Sequence, residues 1–120
     1  MRQLELQQAV DDYFVTGILD WDLDRLDWQG ISPFHRQVLL SCAKIPPGDT
    51  QTYGKLAATV GSPLAARAVG GAMANNRWPL VIPCHRVVGS NGKLTGYSGE
   101  GGVQTKRKLL DMERKLCKST

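Results

Sequence analysis

Two Ser-Pro dipeptides set where helices can begin, and they constrain the fold of this chain more than any other feature. Ser32-Pro33 and Ser62-Pro63 each place serine at an N-cap and proline at the first helical position. After the first of them, apolar side chains recur at i, i+4, i+8 and i+11, namely Phe34, Val38, Cys42 and Ile45. This spacing predicts one buried helix face, with Cys42 in the core rather than in a reactive site.

A second, shorter helix precedes the second Ser-Pro. Its apolar positions are Tyr53, Leu56, Ala57 and Val60, and Gly61 is expected to end it. A third helix is expected over residues 63–75. Two short helices joined by a tight glycine-containing turn are typical of a helix-turn-helix, although a plain helical hairpin has the same pattern.

The third helix consists almost entirely of small residues, including the adjacent pair Gly70-Gly71. Each glycine inside a helix costs about 1 kcal/mol relative to alanine, so something must approach this helix closely. A helix with ordinary side chains is about 10–12 Å across, whereas the DNA minor groove is about 6 Å wide. A thin helix therefore suits a minor groove, and tight packing against a neighbouring helix explains it equally well.

Cys84 stands between two short apolar runs, Leu80-Val81-Ile82 and Val87-Val88. These runs are typical of buried extended chain, and Pro83 is expected to hold the turn that presents the cysteine. A thiol reacts as its thiolate, which an adjacent imidazole such as His85 can generate. The alternative is a small buried cysteine that packs as a hydrophobic residue.

Asn91-Gly92 is a strong turn signal between Val87-Val88 and Lys93-Leu94-Thr95. It predicts a small β-hairpin, which could form a wing beside the helix-turn-helix. A last helix is expected over residues 103–117, with its basic side chains on the outside. Those basic residues are Lys106, Arg107, Lys108, Arg114 and Lys115.

The first thirty residues differ in charge from the rest. The net charge of the chain is +4, yet residues 1–30 carry seven acidic residues against Arg2 and Arg25. The remaining chain is therefore basic, which fits a partner with negative charge such as nucleic acid. A helix over 3–17 with apolar Leu6, Val10, Tyr13 and Phe14 is expected, followed by an acidic connecting segment laid against the domain.

The three cysteines are widely spaced and odd in number, which argues against a disulfide framework and favours a reducing cytosol. They do not form CxxC pairs, so we expect no zinc site. No apolar run approaches the length needed to span a membrane.

Several motifs occur in one order: Arg67 to Met73, Asn76, Pro83-Cys84-His85-Arg86-Val87-Val88 and Gly96-Tyr97-Ser98-Gly99. From about Ser32 to Leu116 the chain closely resembles the C-terminal domain of the O6-alkylguanine-DNA alkyltransferases, also called methylated-DNA–protein-cysteine methyltransferases. The resemblance implies a mainly α, winged-helix-like domain with a helix-turn-helix over residues 31–120. It also implies that residues 1–30 are the remnant of a separate N-terminal domain.

The resemblance assigns roles to individual residues. Cys84 would accept the alkyl group after His85 takes its proton through a water. Glu113 would bond and orient His85, and Asn76 would tie the helix-turn-helix to the active-site turn. The pocket for the flipped guanine would comprise Tyr53, Pro79, Val87, Tyr97 and Ser98, although the glycine-rich run after Tyr97 is longer than usual. DNA would contact Arg67, Ala68, Gly70, Gly71 and Arg86, with Arg67 entering the base stack when the nucleotide flips.

We therefore expect a cytoplasmic, monomeric DNA-repair enzyme that acts once on double-stranded DNA and needs no cofactor. Two alternatives remain. The alkyltransferase-like proteins share this domain but lack the reactive cysteine, and they recognise alkylated DNA without repairing it. An ordinary winged-helix regulator would share the helix-turn-helix alone, but it has no physical need for Asn76, the Cys84 motif or Tyr97-Ser98.

Overall fold

Helices make up most of the fold in the computed structural model, which describes residues 2–62, 64–94 and 101–118. Five α-helices occur in these residues: α1 (Arg2–Thr16), α2 (Pro33–Cys42), α3 (Tyr53–Thr59), α4 (Ala66–Ala74) and α5 (Gly102–Lys118). Short 3-10 turns lie at Leu23–Arg25, Cys84–Arg86 and Ser90–Gly92. The prediction of a mainly helical chain is confirmed.

Local capping explains where two of the helices begin. The Ser32 hydroxyl accepts a hydrogen bond from the His35 N–H at 3.2 Å, and Pro33 occupies the first turn of α2, as predicted. Thr52 caps α3 in the same way through the N–H of Lys55 at 3.0 Å. These caps fix the helix starts with residues that are neighbours in sequence.

The third helix begins three residues later than predicted. The segment after Ser62 first forms a turn, closed by a 2.8 Å hydrogen bond from the Ala65 N–H to the Ser62 carbonyl. Ala65 then occupies the N-cap of α4 without a side-chain hydrogen bond. The predicted start of this helix at Ser62-Pro63 was therefore wrong, and Pro63 itself lies outside the described residues.

The helix-turn-helix is formed by α3 and α4, and α2 packs across both. Gly61 adopts φ +81° in the connection, a conformation that favours glycine. The helices bury one continuous apolar core, in which Cys42 has no exposed surface. Its core role is therefore confirmed, and the buried members from these helices are Val38, Leu39, Cys42, Leu56, Ala57, Val69, Ala72 and Met73.

The small sheet has a different pairing from the predicted hairpin. Strand β1 (Gln51–Thr52) pairs in parallel with β2 (Val87–Val88), so that Gln51 aligns with Val87 and Thr52 with Val88. Residues Ser90–Gly92 form a 3-10 turn instead of a hairpin loop. Pairing with β1 holds β2 in the interior, where both valines are buried, as is usual for parallel strands. The predicted hairpin lies partly outside the described residues, because Thr95 is not described. The Gly89 N–H donates to the Lys93 carbonyl at 2.8 Å, but in the described residues β2 is paired with β1 alone.

The N-terminal segment is laid against the domain, as predicted. Gly17 ends α1 at φ +79°, and the chain then runs through the 3-10 turn to Trp28. Trp28 donates from Nε1 to the Leu23 carbonyl and packs edge-on against Trp78, with ring centroids 4.9 Å apart. On α1, Tyr13 is completely buried, but Phe14, predicted on the apolar face, is half exposed. The domain boundary at residue 30 stays a prediction.

Helix α5 closes the domain on the side of the Cys84 turn. Its inward face carries Leu109 and Leu110 together with two charged residues, Lys106 and Glu113, all of them buried. Lys106 was expected on the outside and is 1% exposed, so that prediction was wrong. None of the helices in the described ranges is long and apolar enough to cross a membrane.

Candidate active site

Asn76 ties the helix-turn-helix to the segment that carries Cys84. Its side-chain nitrogen donates to the Ile82 carbonyl at 3.0 Å, and its side-chain oxygen accepts from the Trp78 N–H at 3.0 Å. Asn76 is itself buried, so both hydrogen bonds form away from water. Between these anchors, Leu80 adopts φ +79°, a strained conformation for a residue with a side chain. The segment is thus held in one shape from both ends.

A tight turn centred on Pro83 presents Cys84. Pro83 has φ −78° and ψ 64°, and the Cys84 N–H donates to the Ile82 carbonyl at 2.7 Å. These values define an inverse γ-turn, which the fixed φ of proline favours. Cys84 then opens the 3-10 turn and is 3% exposed. The sequence prediction that Pro83 holds the turn is confirmed.

His85, the residue that follows Cys84 in the chain, forms a buried pair with Glu113 of α5. Nε2 of His85 lies 2.7 Å from Oε2 of Glu113, and neither side chain is exposed. Because a carboxylate only accepts hydrogen bonds, Nε2 carries the proton and donates. Nδ1 of a neutral His85 then has the lone pair, which is the form needed to take a proton from a thiol.

Arg86 completes this cluster from inside the protein. Its Nε donates to Oε1 of Glu113 at 2.9 Å, its Nη2 donates to Oε2 at 2.7 Å, and its Nη1 donates to the Ile45 carbonyl at 2.8 Å. Arg86 is 6% exposed, and all three guanidinium nitrogens point inward. Arg86 was predicted to contact DNA, and the structure corrects this: its charge balances Glu113 in the interior.

Two buried residues of this region were missed by the sequence analysis. Tyr13, from α1, donates its hydroxyl hydrogen to Oε2 of Glu113. Lys106 places its ammonium 5.9 Å from the centroid of the Tyr53 ring. Helical spacing could have revealed Lys106, because it lies at i−4 and i−7 from Leu110 and Glu113 on one face of α5. No comparable signal links Tyr13 to Glu113, since α1 and α5 are at opposite ends of the chain.

Burial and hydrogen bonding set the charge states of the pair. Burial by itself would raise the pKa of Glu113, but hydrogen bonds from His85 and Arg86 outweigh it and lower the pKa from 4.5 to about 2. Burial lowers the pKa of His85 below 6.5, and the attraction of Glu113 offsets this only in part. At neutral pH the site therefore holds an ionised carboxylate and a neutral imidazole.

These shifts predict a fold that loses stability as the pH falls. Both groups bind fewer protons in the folded than in the unfolded chain, so stability rises with pH. The contribution of His85 is complete above pH 6.5 and is lost below it, and that of Glu113 is lost between pH 4.5 and about 2. The free energy of unfolding, measured with urea at a series of pH values, should show two successive decreases as the pH falls through this range. His85→Gln should remove the upper one, and His35→Gln, outside this cluster on α2, should retain it.

The expected pocket residues are partly visible. Tyr53 begins α3 and is half-buried, Val87 in β2 is completely buried, and Pro79 is half-buried and bridges to Ile82. Tyr97 and Ser98 lie outside the described residues. Tyr53 and Val87 therefore lie on adjoining elements, since α3 directly follows β1 and β1 pairs with β2.

The small-residue helix has an open outer surface. Arg67 and Ala68 are exposed on α4, and Gly70 and Gly71 are half-buried. Among the described residues, a methyl group added at either glycine would have no atom within 4 Å beyond its chain neighbours and the backbone of α4. The two glycines are thus not required by packing against a neighbouring helix, which was the alternative that the sequence left open.

The described residues contain two cysteines with assigned burial, Cys42 and Cys84. Cys42 and Cys84 form no disulfide, and burial raises the pKa of the Cys42 thiol. Within the described ranges, no three His, Cys, Asp or Glu side chains are grouped as a metal site would require.

Comparison with known proteins agrees with this arrangement. Residues 33–115 match the family model described as 6-O-methylguanine DNA methyltransferase, DNA binding domain. A methylated-DNA–protein-cysteine methyltransferase of Mycolicibacterium paratuberculosis is 46% identical over 103 residues, which are 86% of this chain and 60% of the relative. One of Salmonella typhimurium is 46% identical over 109 residues, or 90% of this chain and 61% of the relative. The chain thus spans about three fifths of the length of these curated relatives.

Solved structures show the same fold. A crystal structure of Mycobacterium tuberculosis OGT in complex with DNA superposes with a TM-score of 0.81 at 40% identity and covers 92% of this chain and 66% of the other. S. pombe Atl1, in complex with damaged DNA containing O6-carboxymethylguanine, superposes with a TM-score of 0.60 at 35% identity. The match covers 67% of this chain and 74% of Atl1. The family model matches more than half of the chain, and the protein therefore belongs to the 6-O-methylguanine DNA methyltransferase family through its DNA-binding domain.

Proposed function

We propose that this protein repairs DNA by transferring an alkyl group from O6 of guanine to Cys84, once per molecule. The observation that carries the proposal is the buried pair of His85 and Glu113, 2.7 Å apart, next to a cysteine held by the Pro83 turn. The family membership and the relatives named methylated-DNA–protein-cysteine methyltransferase support the same reaction.

The reaction is a direct displacement. His85 takes the thiol proton through a bridging water, and the Cys84 sulfur attacks the alkyl carbon in line with the bond to O6. The new carbon–sulfur bond forms as the carbon–oxygen bond breaks, and the electron pair leaves with guanine. A proton delivered to the base, for which Tyr53 is the candidate donor at N3, neutralises it. The thioether product has no hydrolysis step at this site, so the protein is consumed.

Duplex DNA is the proposed partner, bound through α4. A helix with exposed small residues can enter the minor groove, and Arg67 at its start can occupy the space that a flipped base leaves. The extruded guanine would then lie among Tyr53, Pro79, Val87, Tyr97 and Ser98. Most of the binding energy would come from phosphates, so affinity should fall steeply with added salt.

Intact mass spectrometry tests this function directly. The protein is incubated with a duplex that carries one O6-methylguanine, its intact mass is measured, and peptide mapping locates any added group. We expect a gain of one methyl group per molecule, located on Cys84. Binding to the lesion without a mass change would instead favour a non-catalytic sensor, the class suggested by the likeness to Atl1. No mass change and no preference for the lesion would leave a winged-helix DNA binder.

Alanine at Gly70 or Gly71 should change stability and DNA affinity in opposite directions. Each substitution should stabilise α4 by about 0.5–1 kcal/mol, because alanine favours a helix and no other described element lies within 4 Å of the added methyl. The same methyl would occupy the space proposed for the groove, so duplex affinity should fall. Thermal unfolding and fluorescence anisotropy at constant salt measure the two effects. Alanine at exposed Gly54 in α3 is the matched control, and unchanged affinity at Gly70 and Gly71 would contradict the docking of α4.

We also propose that the protein acts as a monomer in the cytoplasm. The odd number and wide spacing of the three cysteines favour a reducing compartment. Cell fractionation and sedimentation of the purified protein test the two statements separately, and a dimer in sedimentation or a periplasmic fraction would contradict them.

A further inference from the structure

Glu113 accepts hydrogen bonds from groups in separate parts of the chain. His85 and Arg86 approach it from the 3-10 turn, and the Gly48 N–H approaches Oε1 from the loop after α2 at 3.5 Å. The fourth group, the Tyr13 hydroxyl, comes from α1, 100 positions away in the sequence, and donates to Oε2. Tyr13 is completely buried, so water does not compete for this hydrogen bond.

The oxygen that Tyr13 contacts is the oxygen that orients His85. Oε2 of Glu113 accepts from Nε2 of His85, from Nη2 of Arg86 and from the Tyr13 hydroxyl. Burial and the neighbouring carboxylate raise the pKa of Tyr13, so its hydroxyl keeps its proton and remains a donor at neutral pH. The orientation of the carboxylate therefore depends on a group outside the Cys84 turn.

We propose that Tyr13 is a positioning residue for alkyl transfer, which fixes Oε2 of Glu113 and, through it, the tautomer and orientation of His85. This inference rests on the proposed function for its effect on the reaction. It makes α1 part of the catalytic architecture, although the sequence suggested an appendage. A group that holds the hydrogen-bond partner of a catalytic imidazole commonly determines how well the imidazole is placed.

A purely structural role is the competing explanation, because a buried tyrosine also fills space. Tyr13→Phe separates the two, since it keeps the ring and removes the hydroxyl alone. Thr16→Val is the matched control: it removes another hydroxyl of α1, which in the described residues bonds to the Asp12 and Ile18 carbonyls and to the Ile18 N–H. Both variants are compared with the full wild-type chain.

The first measurement is the rate of methyl transfer to Cys84 as a function of pH. We expect Tyr13→Phe to slow transfer about tenfold, the size associated with one lost hydrogen bond to a charged group. Duplex affinity should stay constant, and Thr16→Val should match the wild type. In a Glu113→Gln background the additional loss from Tyr13→Phe should disappear, because the two residues act through one contact.

The pH profile adds a readout that space-filling would not change. His85 is faced by Glu113 and Lys106 from α5 and by Arg86 from its own turn. A carboxylate that accepts one hydrogen bond fewer attracts a proton on His85 more strongly. The acid limb of the plot of transfer rate against pH should therefore move to higher pH in Tyr13→Phe. A fluorinated tyrosine at position 13 is a stronger donor and should move the limb to lower pH. This second variant keeps the hydroxyl, and it remains informative if Tyr13→Phe fails to fold.

The ring signals of His85 in nuclear magnetic resonance test the contact without DNA. The chain has two histidines, and His35, on α2, is the internal control. We expect the His85 signals to change in Tyr13→Phe while those of His35 do not. If wild type accepts no methyl group, the proposed function fails, but these signals still decide the role of Tyr13. An unchanged rate, pH profile and His85 spectrum in a folded Tyr13→Phe would overturn the inference.

Discussion

Cys84→Ala is expected to leave no detectable methyl group on the protein while duplex binding continues. Alanine has no sulfur to form the new bond, and the neighbouring His85 and Glu113 cannot replace it as nucleophile. The substitution removes one atom from a site that is 3% exposed, so the fold should lose only about 1 kcal/mol. Intact mass after incubation with the O6-methylguanine duplex measures transfer, and anisotropy measures binding.

Cys42→Ala is the matched control for this prediction. Cys42 is also buried, but it lies in the core between helices, and burial raises the pKa of its thiol so that it stays protonated. This variant should lose a comparable amount of stability and retain full transfer. Methyl transfer that persists in Cys84→Ala, or that is lost in Cys42→Ala, would contradict the assignment of Cys84 as the nucleophile.

Glu113→Gln is expected to cost about 3 kcal/mol of unfolding free energy, because it breaks a buried ion pair and leaves Arg86 uncompensated. The carboxylate accepts from Tyr13, His85 and Arg86, and it is completely buried. The amide of glutamine has a single acceptor oxygen, and its NH2 group would face another donor. Urea unfolding at neutral pH measures the loss, and the transfer rate should fall as well, because His85 is no longer oriented.

The exposed carboxylate of Asp111 on the same helix provides the comparison. Asp111 forms a 3.9 Å ion pair with Arg114, and both side chains are largely exposed. Asp111→Asn should therefore change stability by less than about 0.5 kcal/mol. Equal effects at positions 111 and 113 would mean that the buried cluster contributes no more than a surface pair. Adding Arg86→Met to Glu113→Gln should recover part of the loss, because it removes the unbalanced charge.

The sequence by itself determined the features that depend on neighbouring residues. Ser32 and Pro33 start α2, Gly17 ends α1, and Pro83 shapes the turn that carries Cys84. Each of these acts through hydrogen bonds or dihedral angles within a few positions, so the residue types suffice to predict them. The pairing of His85 with Glu113 was also predicted, through the resemblance to a family and not through any local pattern.

Only the tertiary structure decided how the remaining charges are used. Arg86, expected on DNA, points into the core because Glu113 and the Ile45 carbonyl meet it there, and β2 pairs in parallel with β1. Tyr13 reaches Glu113 across nearly the whole sequence. The physical reason is the same in each case. The energy of a buried polar group depends on partners brought together by folding, and no local pattern identifies those partners.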